Sequence, residues 1–325
     1  MRSLILAFIC LSAGQLFAQV PKVRIVEHFT NSSCSSCAGN NPTIYGVLQS
    51  NPAVLHLSIY PSSPYPNCFF SLQNPVENDA RTNYYGLYGS TPKLVLNGGL
   101  VSVSSLSAGL QTTASDMTNF EVRTVQTFYG TDSVLVAVVI KKVAADTMLS
   151  ATLFAAAFQD TVFQTTNNGE TVHYDVFRKA LTAPAGNVIA LPSMVNDSII
   201  IPYAYAISAN WQANRMKTMV ILQNSITKNT IQAAVSYNNT TIPTNQQQVF
   251  ISELLIVPNP VYNTINLIHN NTYNQYVLRD LTGRVLKRNL LATSKIDVSD
   301  IPQGMYLLQL SNSKESKTYS FTKHE

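Results

Sequence analysis

The sequence is poor in charge. Asp, Glu, Lys and Arg make up 12% of its 325 residues, and the net charge of +4 is spread thinly, with no basic cluster. That composition argues against nucleic acid as a partner. Cysteine is scarce, at four residues, and tryptophan occurs once. Cys34 and Cys37 stand at C-x-x-C spacing, but no second such pair follows. A zinc site needs more ligands than this, so no metal and no cofactor is expected. Long apolar runs are missing as well, so the mature chain is expected to have no membrane span.

What is present begins with a leader. "MRSLILAFICLSAGQLFAQ" has one basic residue, Arg2, an apolar run from Leu4 to Cys10, and small or polar residues up to "LFA". This is the layout of a secretory signal peptide over residues 1–18, cleaved after Ala18. Cys10 leaves with it. Cys34, Cys37 and Cys68 remain, in an oxidising compartment where Cys34 and Cys37 can pair as a disulfide.

In residues 19–120, strand-like runs ("KVRIVEHF", "AVLHLSIY", "PKLVLNGG") alternate with helical stretches ("PTIYGVLQS", "PVENDARTNYYGLYG", "SLSAGLQTTASDMTNF"). The alternation predicts a three-layer α/β unit. A cysteine pair at a helix start meets unpaired N–H groups and a partial positive charge, which stabilise a thiolate. On that logic Cys34 attacks and is the more exposed sulfur, and Cys37 resolves. Glu27, in an apolar strand, is either a desolvated proton relay for Cys37 or a strand-end carboxylate, in water or paired with Arg24. His28 and His56 read as ordinary strand histidines. Cys68, in the Pro-rich insertion "PSSPYPNCFF", reads as a buried free thiol beside Phe69 and Phe70, with a resolving role as the alternative.

Residues 121–237 change character. Seven β-rich runs separated by turn residues predict an immunoglobulin-like β-sandwich, with Trp211 in or near its core. His173, Asp175 and Arg178 fall close together in "HYDVFRKAL" but alternate faces of a strand, which favours surface pairing. Residues 238–250 are polar and read as a linker.

The motifs add two resemblances. "VRIVEHFTNSSCSSC" with "ARTNYYGLYGSTPKLVLNGG" resembles the thioredoxin-like domain of the outer-membrane-protein-twenty-eight-related proteins of Bacteroidetes. The matching residues are Glu27, Phe29, Thr30, Cys34, Cys37, Arg81, Tyr84 or Tyr85, Pro92, Asn97 and Gly98. The resemblance implies a site formed by Cys34, Cys37, Glu27 and Pro92, with Pro92 in cis facing the cysteines. Asn31 stands where that family has glycine, and Ser33 where it has tryptophan. The missing tryptophan removes an apolar shield beside the sulfur and argues against rapid dithiol exchange.

Residues 251–325 closely resemble the type A C-terminal sorting domain of the type IX secretion system. The matches are Pro258-Asn259-Pro260, Asp280 with Gly283-Arg284, Gly304-Met305-Tyr306 and the terminal "YSFTKHE". This resemblance implies passage through the periplasm, recognition by the outer-membrane translocon, and a final place on the cell surface or in the medium. Ser133, Thr147, Thr161 and Ser198, each in an Asp-Ser/Thr-apolar triplet, look like acceptors of the O-glycosylation system of the same phylum. The expected fold class is α/β plus all-β multidomain: a thioredoxin-like domain, an immunoglobulin-like sandwich and a small C-terminal β-sandwich. The expected function is a surface binding or structural protein, with protein or cell-surface ligands. The alternative is an extracytoplasmic thiol–disulfide oxidoreductase using Cys34 and Cys37.

Overall fold

The computed structural model describes residues 19–129, 132–238, 254–257, 261, 263–268, 270 and 272–323. The leader, nearly all of the linker and the Pro258-Asn259-Pro260 motif lie outside them.

The first elements are β1 (Ile25–Phe29), α1 (Ser35–Gln49), β2 (Leu55–Ile59) and α2 (Pro75–Tyr84). The hairpin β3 (Lys93–Leu96) and β4 (Gly99–Val101) follows, and then α3 (Leu106–Thr112). Next come β5 (Phe120–Tyr129), β6 (Ser133–Lys142), β7 (Ser150–Phe163) and β8 (Val172–Ala180). The series continues with β9 (Asn187–Ala190), β10 (Ser198–Ala206), β11 (Met216–Gln223) and β12 (Thr230–Val235). Every apolar run read between residues 121 and 236 is a strand.

Their assembly corrects the expected fold class. The chain is mainly β. An α/β thioredoxin-like domain beside a separate immunoglobulin-like sandwich is not what forms. Instead β12, β11, β7, β8, β2, β1, β3 and β4 make one sheet in that order, with β9 as its ninth strand, paired to the start of β7. The seam is a parallel contact, Val176 of β8 against Ser58 of β2. A second sheet holds β10, β6, β5 and the short strand Tyr237–Asn238.

β7 shows why the two halves merge. Ala151 through Gln159 are buried without a break, as in a strand covered on both faces. Ala151, Leu153, Ala155 and Ala157 pack on Val134, Val136, Val138 and Ile140 of β6. Phe154, Ala156 and Phe158 face the other way and share a core with Ile25, Phe29, Leu57 and Ile59. Trp211 packs half-buried against the first of these cores.

The long sheet curls until its ends meet. The β3–β4 turn is Asn97-Gly98, both at positive φ (51° and 91°), as a tight two-residue hairpin requires. Thr230 N–H donates to Asn97 O at 2.9 Å, which ties the turn to β12. A Cβ on Gly98 would lie 2.1 Å from Lys228 O, so glycine also permits this approach.

The C-terminal part holds β13 (Leu255–Val257), β14 (Thr264–Ile268), β15 (Gln275–Asp280), β16 (Val285–Leu290), β17 (Lys295–Asp297), β18 (Gly304–Ser311) and β19 (Ser316–Lys323). They form a three-stranded and a four-stranded sheet. Ile265, Leu267 and Ile296 of one share a core with Leu278, Leu308, Leu310 and Phe321 of the other. No helix among the described residues is long and apolar enough to cross a membrane.

Candidate functional site: the cysteine pair and the histidine–aspartate cleft

Cys34 caps α1, and its sulfur accepts the N–H of Cys37 at 3.1 Å. The Cys34 thiol points at Thr91 O, 3.7 Å away, and the Thr91–Pro92 bond is cis. The structure therefore brings Cys34, Cys37 and Pro92 together. Both sulfurs are free thiols, and both residues are 0% exposed, so the expected exposure of Cys34 is not found. Burial, and then the neighbouring Cys34, push the Cys37 thiol up to about 12, against smaller pulls from Thr91 and Thr30.

Two segments close over the pair. From the insertion, Pro61 O and Tyr65 O accept from Asn31, and Asn67 O accepts from Ser33. Cys68 is buried, its sulfur 3.3 Å from Ser32 Oγ. From the other side comes the β7–β8 connection, residues 164–171. Asn168 N–H donates to Ser32 O at 3.1 Å, and its amide donates to Cys34 O at 3.3 Å. Asn167 donates to Ser33 Oγ, and Glu170 accepts from Asn41 of α1 at 2.8 Å.

Glu27 stands elsewhere. Ile25, Glu27 and Phe29 face α2, whereas Val26 and His28 face α1. Both carboxylate oxygens of Glu27 are taken by Arg81 of α2, at 2.7 and 3.0 Å, and Tyr85 also donates to it. Its partner is Arg81, not Arg24, which donates to Leu110 O.

The His173, Asp175 and Arg178 group disperses rather than pairing on the surface. His173 meets Gln164 O at 3.0 Å, Arg178 is held by two glutamines, and Asp175 reaches His56 at 2.9 Å. His56 in turn lies 3.4 Å from His28 and 3.5 Å from Ser58 Oγ. Sequence reasoning missed this Asp175–His56–His28 row. Its members are 119 and 28 residues apart; the β1–β2 pairing sets His28 beside His56, and the β8–β2 seam adds Asp175. His56, Asp175, Tyr45 and Tyr174 line a cleft of about 390 Å³ whose other walls include Phe158, Met219 and Lys217. Ser58 is fully buried and is not among the lining residues, so it offers the cleft no nucleophile. Among the described residues no group of three or more His, Cys, Asp or Glu could hold a metal ion.

Of the acceptor triplets, Thr147 and Ser198 are exposed, and Ser133 is half-buried at the start of β6. Thr161 lies inside β7, paired with Tyr174 of β8.

The C-terminal motif residues build turns. Asp280 accepts from Thr282 Oγ1 at 2.6 Å and from the N–H of Thr282 and of Arg284, with Gly283 at φ 88° between them. The Thr282 hydroxyl and these N–H groups hold its carboxyl below the usual range. Tyr306 donates to Pro302 O at 2.7 Å and stacks on Phe321.

Comparison with known proteins agrees on this last part. Residues 255–323 match the family described as a secretion system C-terminal sorting domain. No curated protein matches the chain in sequence. Among solved structures, HBP35 of Porphyromonas gingivalis has a TM-score of 0.57 at 15% identity, covering 92% of this chain and 98% of that one. That likeness shows a shared fold. A protein from Agrobacterium tumefaciens follows at TM-score 0.44 and 18% identity, over 70% of this chain and 100% of that one. A domain of the outer membrane lipoprotein Omp28 from Porphyromonas gingivalis stands at 0.29 and 14%, over 38% of this chain and 89% of that one. These last two likenesses are too slight to build on. The chain carries a type IX secretion sorting domain, which engages the secretion machinery and sends the protein to the cell surface or the medium.

Proposed function

We propose that the exported protein is a non-enzymatic surface scaffold in which Cys34 and Cys37 close as an internal disulfide after export. The observation that carries this reading is the complete burial of both sulfurs beneath the insertion and the 164–171 connection. A protein disulfide has no open approach to either. The compartment is oxidising, and the C-x-x-C spacing keeps the partners within reach of each other. The scaffold's surface then serves binding to protein or cell-surface ligands. A second reading, thiol–disulfide exchange at the same pair, is favoured by the Cys37 N–H aimed at the Cys34 sulfur and by the thiol of Cys37 being kept protonated.

One set of measurements separates the two. In the mature chain, non-reduced peptide mapping is expected to show Cys34 joined to Cys37. The oxidised protein is expected to resist small dithiols while folded and to leave insulin disulfides untouched. Reduction of insulin at a rate that depends on Cys34 would move the assignment to exchange. Cys34 joined to Cys68 as the sole linkage would overturn both.

Export has its own test. A chain lacking residues 251–325 is expected to collect in the periplasm, as seen by fractionation and surface labelling. Surface display at the full-length level would contradict a sorting role for this segment.

A further inference from the structure

A second site is built around Arg178. The register of β8 against β7 slips there. Phe177 pairs with Phe158 and Lys179 with Ala157, which leaves Arg178 as the extra residue of a bulge. A bulge re-aims the side chain it carries. This one sends a guanidinium into the interior, where Arg178 is only 6% exposed.

Among the described residues the charge finds no counter-charge. Nη1 donates to Gln73 Oε1 at 2.6 Å and Nη2 to Gln159 Oε1 at 2.9 Å, both neutral amides. Among the described residues no carboxylate forms an ion pair with Arg178. Its Nε–H is buried and has no partner among the described residues. Burial draws this guanidinium down to about 10. A cation so placed is costly unless something negative joins it.

There is room for that something. A cavity of about 120 Å³ has Arg178, Phe70, Gln73, Ser208, Asn210 and Trp211 among its lining residues. The side-chain amides of Gln73 and Asn210 and the Ser208 hydroxyl are of the type that donates to oxygen, whereas the Asn74 amide is already spent on Glu77 and on Arg178 O. Ser208 and Asn210 are exposed and mark the mouth. The volume suits a carboxyl group on a short stem, not a large ligand.

We propose that this cavity is a binding site for a singly charged carboxylate, supplied by a small free acid or by the C-terminus of a peptide. One guanidinium neutralises one negative charge, and its planar N–H fork matches a carboxylate. A doubly charged oxyanion would bury one charge uncompensated. The site is separate from the cysteine pair and does not depend on its chemistry.

Trp211 is the chain's single tryptophan, so its emission reports on the cavity. The mature chain is titrated with sodium acetate against sodium chloride at constant ionic strength. A saturable change in Trp211 fluorescence is expected, with sulfate binding more weakly than acetate. Arg178→Gln is expected to weaken acetate by about tenfold or more, the loss of a charge-assisted bond. If that variant does not fold, Ser208→Phe decides. It fills the exposed mouth, leaves Arg178 in place, and is expected to abolish the response. Competition by trialanine but not by its C-terminal amide identifies a peptide terminus as a source. Competition by neither, with acetate binding intact, identifies small free acids. The absence of a saturable response in the wild type would overturn the proposal. So would sulfate binding as tightly as acetate, or Ser208→Phe responding like the wild type.

Discussion

Replacing Arg81 with leucine is expected to cost about 3–5 kcal/mol of folding stability, the range for breaking a buried ion pair from one side. Arg81 is 0% exposed. Beyond its two bonds to Glu27 it donates to Pro184 O at 3.1 Å, and to Tyr85 and Gln223 at 3.2 Å each. Its guanidinium lies 3.8 Å from the ring centre of Phe154. It therefore joins α2, β1, β7, β11 and the loop before β9. Burial works against its charge, but Glu27 and the two tyrosines beside it win, and its pKa is raised. In the leucine variant Glu27 stays buried without its cation. Changing Glu27 to Gln in that background removes the stranded charge and is expected to recover about 1–2 kcal/mol. Urea unfolding at unchanged slope measures both effects. A loss under about 1 kcal/mol for Arg81→Leu would mean that the pair holds nothing together.

Acid is expected to weaken the same body of the protein through His28. This histidine is fully buried, with Asn41 and Tyr45 of α1 on one side and His56 of β2 on the other. Burial, and then the charge of His56, hold its pKa well below the ordinary 6.5, and Asn41 opposes only in part. The unfolded chain takes up the proton near pH 6.5, while the folded chain refuses it until much lower. Across that interval the unfolded state binds more protons, so stability falls as pH falls. The slope contributed by one such group is at most about 1.4 kcal/mol per pH unit. His173 is lowered too, chiefly by burial, and adds in the same direction. Against the wild type, His28→Leu is expected to show a shallower loss between about pH 6.5 and 5. Identical slopes would remove His28 from the account.

The elements of this protein were legible one by one. The N–G turn at Asn97, the helix start at Cys34 and seven of the eight strands β5 to β12 follow from local chemistry: turn preference, capping and apolar runs. The C-terminal motifs were legible for the same reason. Asp280, Gly283 and Arg284 meet within five residues of one another, so their spacing is their geometry. Even the run Ala151 through Gln159 signals its state, because an uninterrupted apolar strand needs cover on both faces. An immunoglobulin-like reading gives that run only one covered face.

What covers the second face is a matter of partners about a hundred residues away, and local pattern does not name them. The parallel contact of Val176 with Ser58 decides that two apparent domains share a sheet. From that one seam follow the meeting of His56 with Asp175, the strap of Asn168 over Cys34, and the grip of Arg81 on Gln223 of β11. Arg178 is aimed inward by a register slip that leaves no trace in composition. Charge, capping and turn chemistry act over a few residues and can be read along the chain. Sheet order is set by which apolar faces bury each other best in three dimensions, and that competition is settled only when the whole chain has collapsed.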